Sequence, residues 1–192
     1  MEEDYIRFDR RKFKQVVHYI CAHCDADKLG NIKLHKILYF ADMMHFSSKG
    51  KPLTGVDYLK QRFGPIARHL TSALSDLQAE GKLDVRTRDY FGFQKKDYVS
   101  VAPLEALSIT NEEAELLQDV IAFVCEHSAK TISDLSHDLT WQIAKLGERM
   151  PYAAVEGWGP SVVSDRDVEL ATTEARRIRP LIEAERRESR VF

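Results

Sequence analysis

The stretch HYICAHC places His18, Cys21, His23 and Cys24 within seven residues, and Cys-x-x-Cys offers two soft ligands with a workable bite for zinc. A structural zinc needs four ligands, and no second paired cluster follows. On a helix Cys21 falls on the apolar face, whereas His23 and Cys24 lie near the helix end, so the simplest reading is a buried cysteine with surface neighbours and no metal. The chain carries no Gly-x4-Gly-Lys-Ser/Thr cradle, no Gly-x-Gly-x-x-Gly after a strand, no His-Glu-x-x-His and no Gly-x-Ser-x-Gly elbow. Its seven histidines form no constellation with a nucleophile. The residues therefore point away from an enzyme and call for no cofactor and no small-molecule ligand.

Three other groups have binding chemistry. Arg86, Arg88, Lys95 and Lys96 interleave with Tyr90, Phe91 and Phe93, a composition suited to phosphate contact and base stacking, as in the wing of a winged-helix DNA-binding regulator. The plainer reading is a solvated hairpin whose cations block an exposed edge. His137 and Trp141 stand four apart on one helix face, an arrangement more common in cores than in catalysis. Arg176, Arg177 and four further arginines alternate with glutamates near the C-terminus, which reads as a solvated helix with local ion pairs or, more sharply, as an arginine-led binding surface.

With 192 residues and a net charge of −2, the chain has length for a real core and no polycationic character. No run approaches the roughly 18 apolar residues of a membrane span, and MEEDYIRFDRRK lacks the apolar stretch of a leader, so a cytoplasmic location is expected. Three cysteines, an odd number, argue against a disulfide framework.

Periodicity supplies the elements that must hold these groups. Phe13, Val16, Val17, Ile20 and Cys21 mark one face of a helix over 9–25, and a second helix is expected from Ile32 to about His45 with Asn31 as its cap. A third should start at Pro65, where proline suits the first turn, and stop at Gly81. KLDVRTRDY and KDYVSVA alternate as strands around Gly92, giving one small hairpin near 83–102 and no other sheet. Thr110 opens a capping box, and a further helix spans 132–147. The expected fold is mainly α, a compact domain of six to seven helices with one antiparallel hairpin over 1–157, followed by a charged helical extension over 158–192.

Taken together, KLHKILYFADMMHF, GKPLTGVDYLKQRFGPIARHL and LSHDLTWQIA resemble the Panacea domain of the SocA-like antitoxins. Lys33, Leu34, Lys36, Leu38, Tyr39 and Phe40 fall on its signature helix, Tyr58 on its aromatic position, Phe63, Gly64 and Pro65 on its turn, and His137 and Trp141 on its late helix. His35 and Ile37 depart mildly from the pattern, and nothing beyond about Gly157 matches it. The resemblance implies an antitoxin that binds and neutralises a protein toxin encoded beside it, with delivery to a protease, DNA regulation and phage defence as associated roles. The residues themselves say that a helix apolar nearly all round must be surrounded, with Ile37, Leu38, Phe40, Ala41 and Met44 at the centre. Asp42 within it must be satisfied by the fold, with Tyr58 or Arg62 as the expected donors.

Overall fold

The computed structural model describes residues 6–90, 92–104 and 108–157. Helix α1 (Arg10–His23) begins where the Asp9 carboxylate accepts from Lys12 N at 3.0 Å, and it buries Phe13, Val16, Val17, Ile20 and Cys21. Helix α2 (Ala26–Lys49) starts earlier than expected, capped by Asp25 rather than Asn31. It bends at Gly30, whose φ of 62° and ψ of 165° are not helical, and closes on Gly50 in the left-handed conformation.

The segment after α2 corrects the sequence reading most. Strands β1 (Tyr58–Gln61) and β2 (Gly64–Ala67) pair antiparallel around the two-residue turn Arg62-Phe63, and β5 (Arg149–Met150) adds to the other side of β1. The order β2-β1-β5 makes a second sheet beside the expected hairpin. Pro65 therefore begins no helix. It sits on an edge strand, where its missing donor costs no ladder bond, and the helix waits until α3 (Leu70–Ala79).

The hairpin itself is formed by β3 (Leu83–Tyr90) and β4 (Phe93–Ser100), with Gly92 at φ 80° in its turn. Helix α4 (Asn111–Glu126) opens with the capping box, Thr110 Oγ1 accepting from Glu113 N and Glu113 Oε2 accepting from Thr110 N. The single helix expected over 132–147 is two short ones, α5 (Ala129–Leu135) and α6 (Leu139–Ile143), because Asp138 leaves the helical path to cap α6 through Trp141 N at 2.7 Å. A 3-10 turn (Tyr152–Gly157) ends the described residues, so the extension expected over 158–192, including Arg176 and Arg177, lies outside them, as does Phe91. Among the described residues helices dominate, with two small antiparallel sheets.

Helix α2 is central. It packs against α1, α4, α5, β2, β4 and the 3-10 turn, while α3 packs chiefly on α1. Leu34, Ile37, Leu38, Tyr39, Ala41 and Met43 are buried. Met44, expected at the centre, is 45% exposed, and Phe40 is half-buried, because that edge of α2 is left uncovered. The cysteine expectation also changes: Cys24 forms a disulfide with Cys125 in the last turn of α4, while Cys21 stays in the core. The Cys-x-x-Cys spacing is thus split between two environments, and no group of three metal-ligating side chains occurs among the described residues.

Candidate functional site

The signature residues do two jobs, and burial separates them. Asp42 is wholly buried and is met by three donors: Thr54 N at 2.7 Å, Thr54 Oγ1 at 2.6 Å and Tyr58 Oη at 2.7 Å. Burial pushes its carboxyl upward, and the bonds from Thr54 and Tyr58 pull the other way. Arg62, the other donor considered, takes no part and instead lies over the Phe63 ring. The Asp42 cluster ties the middle of α2 to the loop before β1 and to β1 itself.

About two turns earlier on α2, Lys33 and Lys36 bond to main-chain carbonyls. Lys33 Nζ donates to Cys125 O at 3.3 Å, and the fully buried Lys36 Nζ donates to Pro65 O at 2.8 Å. Burial brings the Lys36 ammonium down to about 7. Gly64 stands against it at φ 91°, where an added Cβ would meet Lys36 Nζ and Ser136 Oγ at 2.5 Å or less. The Phe-Gly-Pro turn is therefore glycine-dependent for two reasons, its backbone angle and the side chains pressed on it.

The same turn is clamped from the opposite side. Ser133 Oγ donates to Phe63 O at 2.8 Å, and Trp141 Nε1 donates to Gln61 O at 3.0 Å. His137 stacks on Trp141 with centroids 3.7 Å apart and planes 12° apart, and Lys60 Nζ lies 4.3 Å from the Trp141 centroid while donating to Ala144 O at 2.8 Å. Burial, and secondarily the nearby Lys36 charge, lowers the His137 imidazole. Tyr39 Oη reaches Asp138 Oδ2 at 2.8 Å, joining α2 to the start of α6. Lys36, Phe63, Gly64, Pro65 and Trp141 thus meet at one unit, the β1–β2 turn held between α2 and α5–α6, while Lys33 holds α4 instead.

Around that unit four large apolar side chains are exposed among polar ones such as Arg62, Gln142 and Lys145. Phe63 is 58% exposed, Leu135 54%, Ile143 74% and Leu146 71%. Phe63 is in the turn, Leu135 lies two residues after its Ser133 clamp, Ile143 two after its Trp141 clamp, and Leu146 precedes Gly147, whose N–H donates to Lys60 O at 2.9 Å. Large apolar side chains held out on a hydrogen-bonded frame are a feature of interaction sites.

On the hairpin, three of the four cations named from its composition pair with carboxylates, while Arg86 and Lys96 keep exposed side chains. Arg88 pairs with Asp27 at 2.5 Å and with Asp97 at 2.6 Å, and Lys95 also pairs with Asp97 while donating to Ala26 O and Asp27 O at 3.1 Å. Arg86 pairs with its strand neighbour Asp84 at 2.7 Å. Lys96 is exposed on β4, and Tyr90 and Phe93 are paired in register at the tip. Arg88 and Lys95 bind the hairpin to the start of α2.

Sequence reasoning missed Thr54, Lys60, Ser136 and Asp138. Asp138 had a legible signal, a capping-type residue before Leu-Thr-Trp. The other three depend on strand pairing that local pattern does not reveal. No curated protein and no solved structure matches the chain, and no helix among the described residues is long and apolar enough to cross a membrane. The family model for the SocA-like antitoxin, Panacea domain, matches residues 34–142, which runs from the signature helix through the Trp141 clamp and covers more than half of the chain. The chain belongs to the SocA-like antitoxin, Panacea domain, family.

Proposed function

We propose that this protein neutralises a protein toxin, encoded by an adjacent gene, through direct binding, and that the contact is made by the apolar rim around the β1–β2 turn. The observation that supports this reading is the meeting of several of the family's signature residues at a hydrogen-bonded turn, around which Phe63, Leu135, Ile143 and Leu146 are exposed. Lys60 and Arg62 beside Phe63 suit a partner surface with an apolar centre and a carboxylate at its edge. No chemistry is required of the site, and a cytoplasmic setting follows from an intracellular toxin. A hairpin-based DNA-binding role has weaker support, since Arg86, Arg88 and Lys95 are paired with carboxylates.

The test is to induce the adjacent reading frame with and without this chain, follow growth, and recover the complex from the same cells. Rescue with a co-purifying neighbour is expected, together with loss of both on Phe63→Ser plus Ile143→Ser in a variant that melts like the parent. A toxin whose level falls on co-expression and recovers in a protease-deficient strain assigns delivery to proteolysis. Rescue by the double variant would remove the rim from the mechanism, and a toxic neighbour that is neither bound nor rescued would remove neutralisation of that neighbour.

A further inference from the structure

The three cysteines occupy two chemically different settings. Cys21 is buried in the face of α1, its thiol pushed up to about 12 by desolvation, which leaves it inert at neutral pH. Cys24 caps the C-terminus of α1 and Cys125 sits in the last turn of α4, and the two are joined across a sequence separation of 101. The pair lines an open surface cavity of about 380 Å³ together with His23, Lys28 and Glu126. The cavity wall carries both signs of charge, Lys28 with Asp25 and Glu126, and Lys33 Nζ donates to the Cys125 carbonyl beside it. Two sulfurs close enough to join at the wall of an open cavity are within reach of small solutes, as the core thiol of Cys21 is not.

We infer that Cys24 and Cys125 are a reversible redox-modification site, a thiol pair that peroxide closes into a staple between α1 and α4 and that a small thiol reopens. In the closing reaction one thiolate attacks a peroxide oxygen, breaking the O–O bond to leave a sulfenic acid and one water. The second thiolate then attacks that sulfur, the S–O bond breaks, and a second water departs with the remaining proton. Two electrons pass from the two sulfurs to one hydrogen peroxide, so two thiols and one peroxide give one disulfide and two waters. Reopening by reduced glutathione returns the two electrons and yields oxidised glutathione.

The closed form joins the corner between α1 and α2 to α4. It removes conformational freedom from the unfolded chain over a long loop, so the oxidised protein should open less often and resist proteolysis better than the reduced one. This inference does not rest on the toxin-binding reading, because its readouts need no partner.

The full chain would be equilibrated in glutathione buffers of graded redox poise, quenched by alkylation, and read by intact mass and peptide mapping. The expected result is a reversible loss of two labelled thiols at Cys24 and Cys125, with Cys21 labelled only after unfolding. Oxidation should raise the melting temperature by roughly 5 °C or more and lengthen the half-life under thermolysin. Cys24→Ser and Cys125→Ser should each abolish the difference between oxidising and reducing conditions, and Cys21→Ser should keep it. Failure of peroxide or oxidised glutathione to form the intramolecular bond in the unaltered chain overturns the inference, as does identical melting and proteolysis of its two forms. Those comparisons need no variant, so a poorly folding substitution leaves the test intact.

Discussion

The hydroxyl of Tyr58 donates to Oδ2 of Asp42 at 2.7 Å, and both side chains are wholly excluded from water. The bond joins the middle of α2 to the first strand of a sheet that local pattern does not reveal. It makes the carboxylate inside an apolar helix a structural hub rather than a reactive group. Replacing Asp42 by Ala strands the Tyr58 hydroxyl and both Thr54 donors in the core, at about 1–3 kcal/mol for each buried group left without a partner. Urea denaturation should show a loss of about 3 kcal/mol or more, whereas Tyr58→Phe, which removes one bond and leaves the carboxylate its Thr54 donors, should cost about 1 kcal/mol. Equal losses for the two variants would contradict the hub.

Gly64→Ala should destabilise by at least about 2 kcal/mol, combining a left-handed backbone angle with a Cβ placed against Lys36 and Ser136. Gly50→Ala makes the control, since its φ is also positive but nothing lies within 4 Å of the added carbon. The difference between the two denaturation midpoints isolates the packing of Lys36 and Ser136 on the turn. Indistinguishable midpoints would mean that the pair gives way freely.

Two desolvated bases, the buried Lys36 and the half-buried His35, shift the pH dependence of stability in the same direction. His35 Nδ1 accepts from Ala67 N at 3.1 Å, and burial, with Lys36 beside it, brings its imidazole from 6.5 to about 4. The unfolded state then binds more protons between those values, so the stability contributed by neutral His35 is present above 6.5 and is lost as pH falls towards 4. Lys36, lowered from 10.5 to about 7, behaves likewise over a higher window, and stability rises as pH increases from about 7 towards 10.5. Chemical denaturation across pH 4–10 should show both rises. His35→Asn, which keeps an acceptor, should flatten the lower one, and Lys36→Met the upper one.

Arg88 and Lys95 share Asp97, which is buried, so Arg88→Ala should cost about 1 kcal/mol, while Arg86→Ala, on an exposed pair, should stay within about 0.5 kcal/mol. Fluorescence anisotropy with a labelled duplex at 150 mM salt should detect no saturable binding. Binding that weakens on Arg86→Ala or Lys96→Ala and steepens with falling salt would return the hairpin to the DNA-binding role.

What the sequence determined by itself was local or carried by a family pattern. The apolar periodicity of Phe13, Val16, Val17 and Ile20, the Thr110–Glu113 capping box and the alternation around Gly92 each encode their element within a few residues, and the signature over 33–65 and 135–141 identified the family. The tertiary structure decided what depends on distant partners. Pro65 extends as an edge strand because β1 pairs with it, and Asp138 breaks a helix because Tyr39 and Trp141 both use its carboxylate. Cys24 finds Cys125 across the bundle, and Arg88 turns to Asp27 and Asp97 instead of outward. Such choices are free-energy differences between partners far apart in the chain, and a pattern read over one helical turn or one strand contains neither the partner nor the solvent that it excludes.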